Sequence, residues 1–196
     1  MDSVDDTPCG WAPENDPLYR AYHDTEWGVP VRDGQALFAK LMLDGLQAGL
    51  AWITILRKRQ TILEEFEGFA PEKLARWDGP RIEKALTNPG IIRSRKKTEA
   101  IVGNARAFLD MAERGEDFAD WCWGFVDGQP IDGRLDRWKN APAKTELSET
   151  VSKALRQRGF KFAGPVIVYA WMQAVGLVND HETRCPRYRE IRETGA

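Results

Sequence analysis

The residue pattern predicts an all-α protein, and three observations carry that expectation. Almost nowhere do apolar and polar residues alternate with the period of two that a half-buried strand needs. Several stretches instead place apolar residues three and four apart, the spacing of a helix face. Those stretches are bounded by residues that start or stop helices. The expected organisation is one unit over residues 9–188 made of two closely packed helical lobes, with a disordered segment over 1–8 and a tail over 189–196.

Asp16 before Pro17 reads as an N-cap followed by proline at the first helical position, where its missing N–H costs nothing. Tyr19, Tyr22 and His23 then share one face at i, i+3 and i+4. Asp33 can cap the next helix, whose inward stripe is Leu37, Phe38 and Leu41; three residues further on, that stripe reaches Asp44. A carboxylate is therefore expected on a buried face. The run from Gly45 to Ala51, before Trp52, is read as a small-residue turn that another backbone can approach.

Further helices are expected over 71–77, 80–86 and 94–111, the last with Ile101, Ala105, Phe108 and Ala112 in register, and over 121–125. The stretch 127–145, with two glycines, two prolines and mixed charge, is the loosest and can separate two lobes. Residues 148–158 are helical by pattern, Gly159 to Gly164 form a short glycine-bounded turn, and Pro165 opens a helix that ends near Gly176. Together they read as a helix-hairpin-helix.

A chain of 196 residues can bury a sizeable core without staples. Its formal charge of −2 excludes bulk attraction to nucleic acid but not a local basic face. No apolar run approaches the roughly 20 residues of a membrane span, and the acidic start is unlike a signal peptide. Three cysteines cannot all pair within one chain, which fits a reducing compartment; a cytoplasmic protein without membrane partners, acting as a monomer, is expected.

Each of the two histidines has a cysteine within reach. Cys9 and His23 are separated by thirteen residues near the start, His181 and Cys185 by three near the end. Two thiolates and two imidazoles would close a tetrahedral zinc site with no position for water, the structural kind. Spacing alone leaves open that they are unrelated core or surface residues, with His181 and Cys185 the better half of the signal. Cys122, between Trp121 and Trp123, reads as a buried thiol.

Eight tryptophans and four tyrosines are a heavy aromatic load. Core packing accounts for most, Trp77, Trp138 and Trp171 among them. Trp11, Tyr19, Tyr22, Trp27 and Trp52 sit beside the features above and could wall a site for a flipped base, cationic bases gaining most from aromatic faces. Asp44 on the same stripe is either part of that site or one half of a helix-end salt bridge, for instance to an arginine. Basic clusters occur at Arg57 to Arg59, at Arg93 to Lys97, and at Arg156, Arg158 and Lys161; the third abuts the hairpin, where helix-start N–H groups can take a phosphate.

Cys9-Gly10-Trp11, Asp16-Pro17-Leu18-Tyr19, Tyr22-His23-Asp24 with Glu26-Trp27-Gly28-Val29-Pro30, Gln47-Ala48-Gly49-Leu50 with Trp52-Ile53-Thr54, Gly90-Ile91-Ile92-Arg93, Gly103-Asn104-Ala105-Arg106-Ala107, Arg158-Gly159-Phe160-Lys161-Phe162 and Gly176-Leu177-Val178-Asn179-Asp180-His181 closely resemble the type I 3-methyladenine DNA glycosylases. The resemblance spans 9–185. It implies the helix-hairpin-helix glycosylase fold, with zinc on Cys9, His23, His181 and Cys185 joining the two ends. It also implies that Tyr22 and Trp52 contact the excised base while Trp11, Tyr19 and Trp27 line the pocket. Gly49 and Leu50 match the turn that enters the gap in the duplex, and the hairpin from Gly159 through Lys161 to Gly164 would grip the backbone beside the lesion.

The chain departs from that pattern in carrying Asp44 where the family usually has glutamate and Leu46 where glutamine is usual, and the superfamily's catalytic aspartate falls at Asn179. The implied reaction releases free 3-methyladenine from alkylated double-stranded DNA. Methylation at N3 makes the base cationic and its glycosidic bond weak, so Asp44 is the expected catalytic residue, favouring the charged base while water attacks the sugar. With no lysine placed for a Schiff base, a monofunctional enzyme is expected. The alternative is a helical zinc-containing DNA-binding module without efficient catalysis.

Overall fold

The computed structural model describes residues 7–194, so the expected disorder over 1–6 lies outside the described residues; Thr7 and Pro8 are half-buried. Helices α1 (Pro17–Thr25) and α2 (Gly34–Gln47) begin as the sequence suggests, Asp16 accepting from the Tyr19 N–H and Asp33 from that of Ala36. Leu37, Phe38, Leu41 and Asp44 all point inward and are buried. Helix α3 (Trp52–Glu65) follows directly. Its inward positions Trp52, Ile55, Leu56 and Ile62 are interrupted by a charged run, and the sequence reading treated that run only as a basic cluster.

Helices α4 (Pro71–Leu74), α5 (Gly79–Leu86) and α6 (Arg95–Glu113) come next. The first stops short of the expected 77 because Asp78 takes up the capping of α5, accepting from the Arg81 N–H. On α6, Ile101 and Ala105 are buried as expected, but Met111 takes the inward place near the end and Ala112 is exposed. Helix α7 (Phe118–Trp123) starts earlier than anticipated, capped by Asp117, and runs into a 3-10 turn over Gly124–Val126. Cys122 is buried, as expected.

The stretch 127–145 is strapped rather than loose. Strand β1 (Ile131–Asp132) pairs in parallel with β2 (Val178–Asn179), the N–H of Ile131 donating to Leu177 O at 2.9 Å and that of Gly133 to Asn179 O at 3.1 Å. Helix α8 (Glu146–Gln157) opens with a reciprocal cap between Thr145 and Ser148, and α9 (Pro165–Ala174) follows a turn in which Phe160 is buried. Residues 189–194, expected as a tail, continue helix α10 (Pro186–Thr194).

The core runs between α2, α3, α6 and α9. Trp171 of α9 is fully buried there and its indole N–H donates to Leu37 O at 3.0 Å, fixing α9 against α2. Among the described residues no helix is long and apolar enough to cross a membrane.

Candidate active site and metal centre

Helices α1, α2, α3 and α9 enclose a cavity of about 270 Å³, and Trp11, Tyr19, Tyr22, Trp27 and Trp52 all line it, as the sequence expected. Trp11 is the hinge of the wall, meeting Tyr19, Tyr22, His23 and Trp27 edge-on at 4.9 to 6.4 Å between ring centres. Tyr22 leans on Trp52 at 5.3 Å. The indole N–H groups of Trp11 and Trp52 are buried without an acceptor among the described residues. Burial, and then the charge of Asp44, pushes the Tyr22 phenol well above its ordinary range, so Tyr22 stays neutral.

Asp44 lies in this cavity, 3% exposed, and it is also in a salt bridge. Lys40, one helical turn earlier, donates to both carboxylate oxygens at 2.6 and 2.8 Å. The salt-bridge and cavity readings therefore hold together, with a lysine as partner where an arginine was suggested. Burial pushes the Asp44 carboxyl up and the Lys40 amine down, while each group opposes the shift in the other. The sequence reading placed no lysine at the site. That is corrected here, because a lysine followed four residues later by a carboxylate reads as an ordinary exposed pair unless both are seen to face inward.

Sequence reasoning also assigned Trp138 to the core, but it is 40% exposed and lines the cavity. Buried Glu182 holds it there, accepting from the backbone N–H of Trp138 and of Gly10 at 3.0 Å each. Asp180 is another wall residue, buried, accepting from the Tyr169 hydroxyl at 2.5 Å and the Gln173 amide at 2.8 Å. Gln47, Leu135, Ala141, Ala170, Gln173 and Ala174 complete the lining.

Cys9, His23, His181 and Cys185 converge from both ends of the chain, all buried, with one ligand atom from each within 4.8 Å of the others. Cys9 Sγ lies 3.4 Å from His181 Nδ1, and Cys185 Sγ lies 3.7 Å from both His23 Nε2 and His181 Nδ1. A tetrahedral zinc with ordinary bond lengths separates sulfur and nitrogen ligands by about 3.5 Å, so the donors fit such an ion. The outer nitrogens are anchored, His23 Nδ1 against Asp24 at 2.6 Å and His181 Nε2 against Trp27 O at 2.9 Å, the arrangement that orients metal-binding imidazoles. The four residues can hold a metal ion.

The residues that the sequence assigned to DNA lie on the turn after α2, in the turn before α9 and at the start of α9. Gly49 (φ 78°) and Leu50, 39% exposed, share a groove with Val166 and Ile167 at the start of α9. Lys97 donates to Leu46 O and Ala48 O at 2.8 and 2.7 Å, closing the end of α2 under that turn. Across the hairpin Asn104 accepts from the Lys161 N–H at 2.7 Å and donates to Lys161 O at 3.0 Å. The Lys161 N–H is thus taken, whereas its ammonium has no partner among the described residues and α9 has no side-chain cap. Gly159 is in a left-handed turn (φ 94°) and Gly164 is the N-cap of α9. Much of the remaining basic charge is spent internally. Arg57 pairs with Asp16, Arg59 with Glu26, Arg95 with Glu83 and Arg158 with Glu116.

The fold is mostly helical and is built round a cavity in which aromatic walls surround a buried carboxylate. Residues 11–188 match the family model described as methyladenine glycosylase. The chain is 48% identical over 180 residues to DNA-3-methyladenine glycosylase 1 of Escherichia coli (strain K12), covering 92% of this chain and 96% of that protein. A crystal structure of 3-methyladenine DNA glycosylase I superposes with a TM-score of 0.89 at 49% identity, covering 92% of this chain and 98% of the other. A second, a tyrosine-to-phenylalanine variant of such an enzyme in complex with 3-methyladenine, superposes at 0.87 with 38% identity, covering 91% and 95%. The chain belongs to the methyladenine glycosylase family, and it is a glycosylase.

Proposed function

We propose that this enzyme excises 3-methyladenine from alkylated double-stranded DNA in base-excision repair, acting as a cytoplasmic monomer. The single observation that carries the reading is Asp44, a carboxylate buried in a cavity walled by Tyr22, Trp52, Trp11, Tyr19 and Trp27. Residues 9–188 form the catalytic unit of two helical lobes.

The target nucleotide leaves the stack, which costs a few kcal/mol and less for a damaged base. Gly49 and Leu50 enter the gap left behind. Gly159, Lys161 and Gly164 of the helix-hairpin-helix hold the phosphates beside it, through the ammonium of Lys161 and the uncapped start of α9. In the cavity Tyr22 and Trp52 contact the base, their apolar surface taking the place of the neighbours it leaves in the stack. The Asp44 carboxylate has lone pairs to spare beyond the two that Lys40 uses, and these accept from the base edge.

N3 methylation has already weakened the glycosidic bond, so the base departs neutral as water adds at the sugar carbon. Reaction is monofunctional. The Lys40 amine is engaged by both oxygens of Asp44 and is not free to attack the sugar. Zinc held by Cys9, His23, His181 and Cys185 would supply a structural cross-link and no step of the reaction.

The deciding experiment is incubation of the purified protein with methylated duplex DNA, followed by chromatography of what enters solution. Free 3-methyladenine is expected, with no strand scission. Binding to the DNA without release of base would leave a DNA-binding module in place of an enzyme of this substrate.

A further inference from the structure

Lys40 is the only cation lining the aromatic cavity among the described residues. Its Nζ sits 2.6 and 2.8 Å from the oxygens of Asp44, 4.2 Å from the centre of the Trp52 ring and 6.0 Å from that of Tyr22. These are the carboxylate and the two rings assigned to the base. An ammonium over an indole face is itself a cation–π contact, the same attraction a positively charged base would seek. A cationic base arriving there meets a resident charge of the same sign, in a setting where water screens little.

The net charge of the Lys40 and Asp44 pair is zero whichever of the two holds the shared proton. Asp44 therefore offers acceptor atoms without an unopposed negative charge. Placement four residues apart on α2 makes this a property of the helix backbone, present before any ligand enters.

We propose that Lys40 is a specificity-determining residue: by offsetting Asp44 and occupying the face of Trp52, it lowers the cavity's preference for a positively charged alkylated adenine over a neutral purine of the same shape. The inference rests on the reading of this cavity as the base site. It predicts a pocket in which shape and stacking carry more of the selection, and the charge of Asp44 less, than that carboxylate alone suggests; the second wall carboxylate, Asp180, accepts from Tyr169 and Gln173.

Two ligands of one shape test it at mildly alkaline pH: 3,9-dimethyladeninium, which is cationic, and its 3-deaza analogue, whose basic ring nitrogen is then unprotonated and which is neutral. Their dissociation constants are measured by quenching of tryptophan fluorescence with the full chain as purified. The proteins compared are the wild type, Lys40→Met, Lys40→Gln and Lys40→Arg. Both uncharged variants are expected to raise the preference for the cationic ligand by about tenfold, while the arginine keeps the wild-type ratio. The glutamine retains a donor towards Asp44, so it decides the matter if the methionine variant does not fold. An unchanged ratio with both ligands bound overturns the role of Lys40 and leaves the base site standing; failure of both ligands to bind the wild-type protein overturns the two readings together.

Discussion

His181 Nε2 lies 2.9 Å from the carbonyl oxygen of Trp27, and the two rings meet edge-on at 4.6 Å. A residue of the four-ligand cluster and a wall of the base cavity are thus one unit. Trp11 extends the link, packing on His23 at 5.2 Å and on Trp27 at 4.9 Å. If the cluster holds the zinc proposed for it, removal of that ion should spoil the cavity as well as loosen the two ends of the chain. Structural zinc supplies a large share of folding free energy in small domains, so chelation is expected to lower the melting temperature by about 10 °C or more, with excision lost in parallel and both restored by added Zn²⁺. Metal analysis giving far less than one zinc per chain in active protein would count against this.

Asp44→Asn removes the carboxylate from the cavity and leaves the Lys40 ammonium unpaired. Breaking a buried pair in this way costs about 3–5 kcal/mol of stability. Excision of 3-methyladenine, measured below the new melting temperature, should fall on the order of 10²-fold. Asp44→Glu keeps the charge and one proton partner and should stay active. Full activity in the asparagine variant would remove Asp44 from the mechanism.

Lys161→Ala tests the hairpin. The side chain is exposed and its ammonium is unpartnered among the described residues, so its removal should not disturb the fold. Non-specific DNA binding should weaken uniformly across sequences, with the slope of log affinity against log salt falling by about one. An unchanged slope would mean that no phosphate is held there.

What was legible in the sequence depended on range. Caps at Asp16 and Asp33 act over three residues, and helix spacing alone carried Asp44 onto the buried stripe. The cluster of Cys9, His23, His181 and Cys185 was visible only as two local pairs, since what joins them is contact across more than 150 residues of chain. Trp138 was misplaced in the core for the same reason: its position is set by Glu182, 44 residues away, inside a stretch with no helical period. Helix α3 went unseen because Arg57 to Gln60 interrupt its apolar face; Arg57, Lys58 and Arg59 find their partners outside the helix, and Gln60 donates to Glu64 within it.

Gly133 is required by Asp180. A Cβ at Gly133 would stand 1.9 Å from Asp180 Oδ1, too close for any contact, and the parallel pairing of β1 with β2 leaves little room to retreat. Gly133→Ala should therefore destabilise the protein by about 1–3 kcal/mol and displace Asp180 from Tyr169 and Gln173 in the cavity wall. Urea unfolding gives the first quantity. Binding of free 3-methyladenine gives the second, and it should weaken even where the variant is fully folded.

Lys97→Met tests the proposed entry into the duplex apart from the proposed recognition of the base. The Lys97 ammonium closes the C-terminal end of α2, where carbonyls lack helical partners and the helix dipole favours a cation. Asp44 lies further back on the same helix and does not touch it. Lys97→Met should release the turn that carries Gly49 and Leu50 at a cost of about 1–2 kcal/mol in stability. Excision from duplex DNA is then expected to fall by about tenfold, the rate equivalent of that range. Affinity for free 3-methyladenine should fall less, because Gln47 alone of the released residues lines the cavity. Equal losses in both measurements would show that Lys97 supports the fold as a whole and that the turn has no separate part in opening the helix.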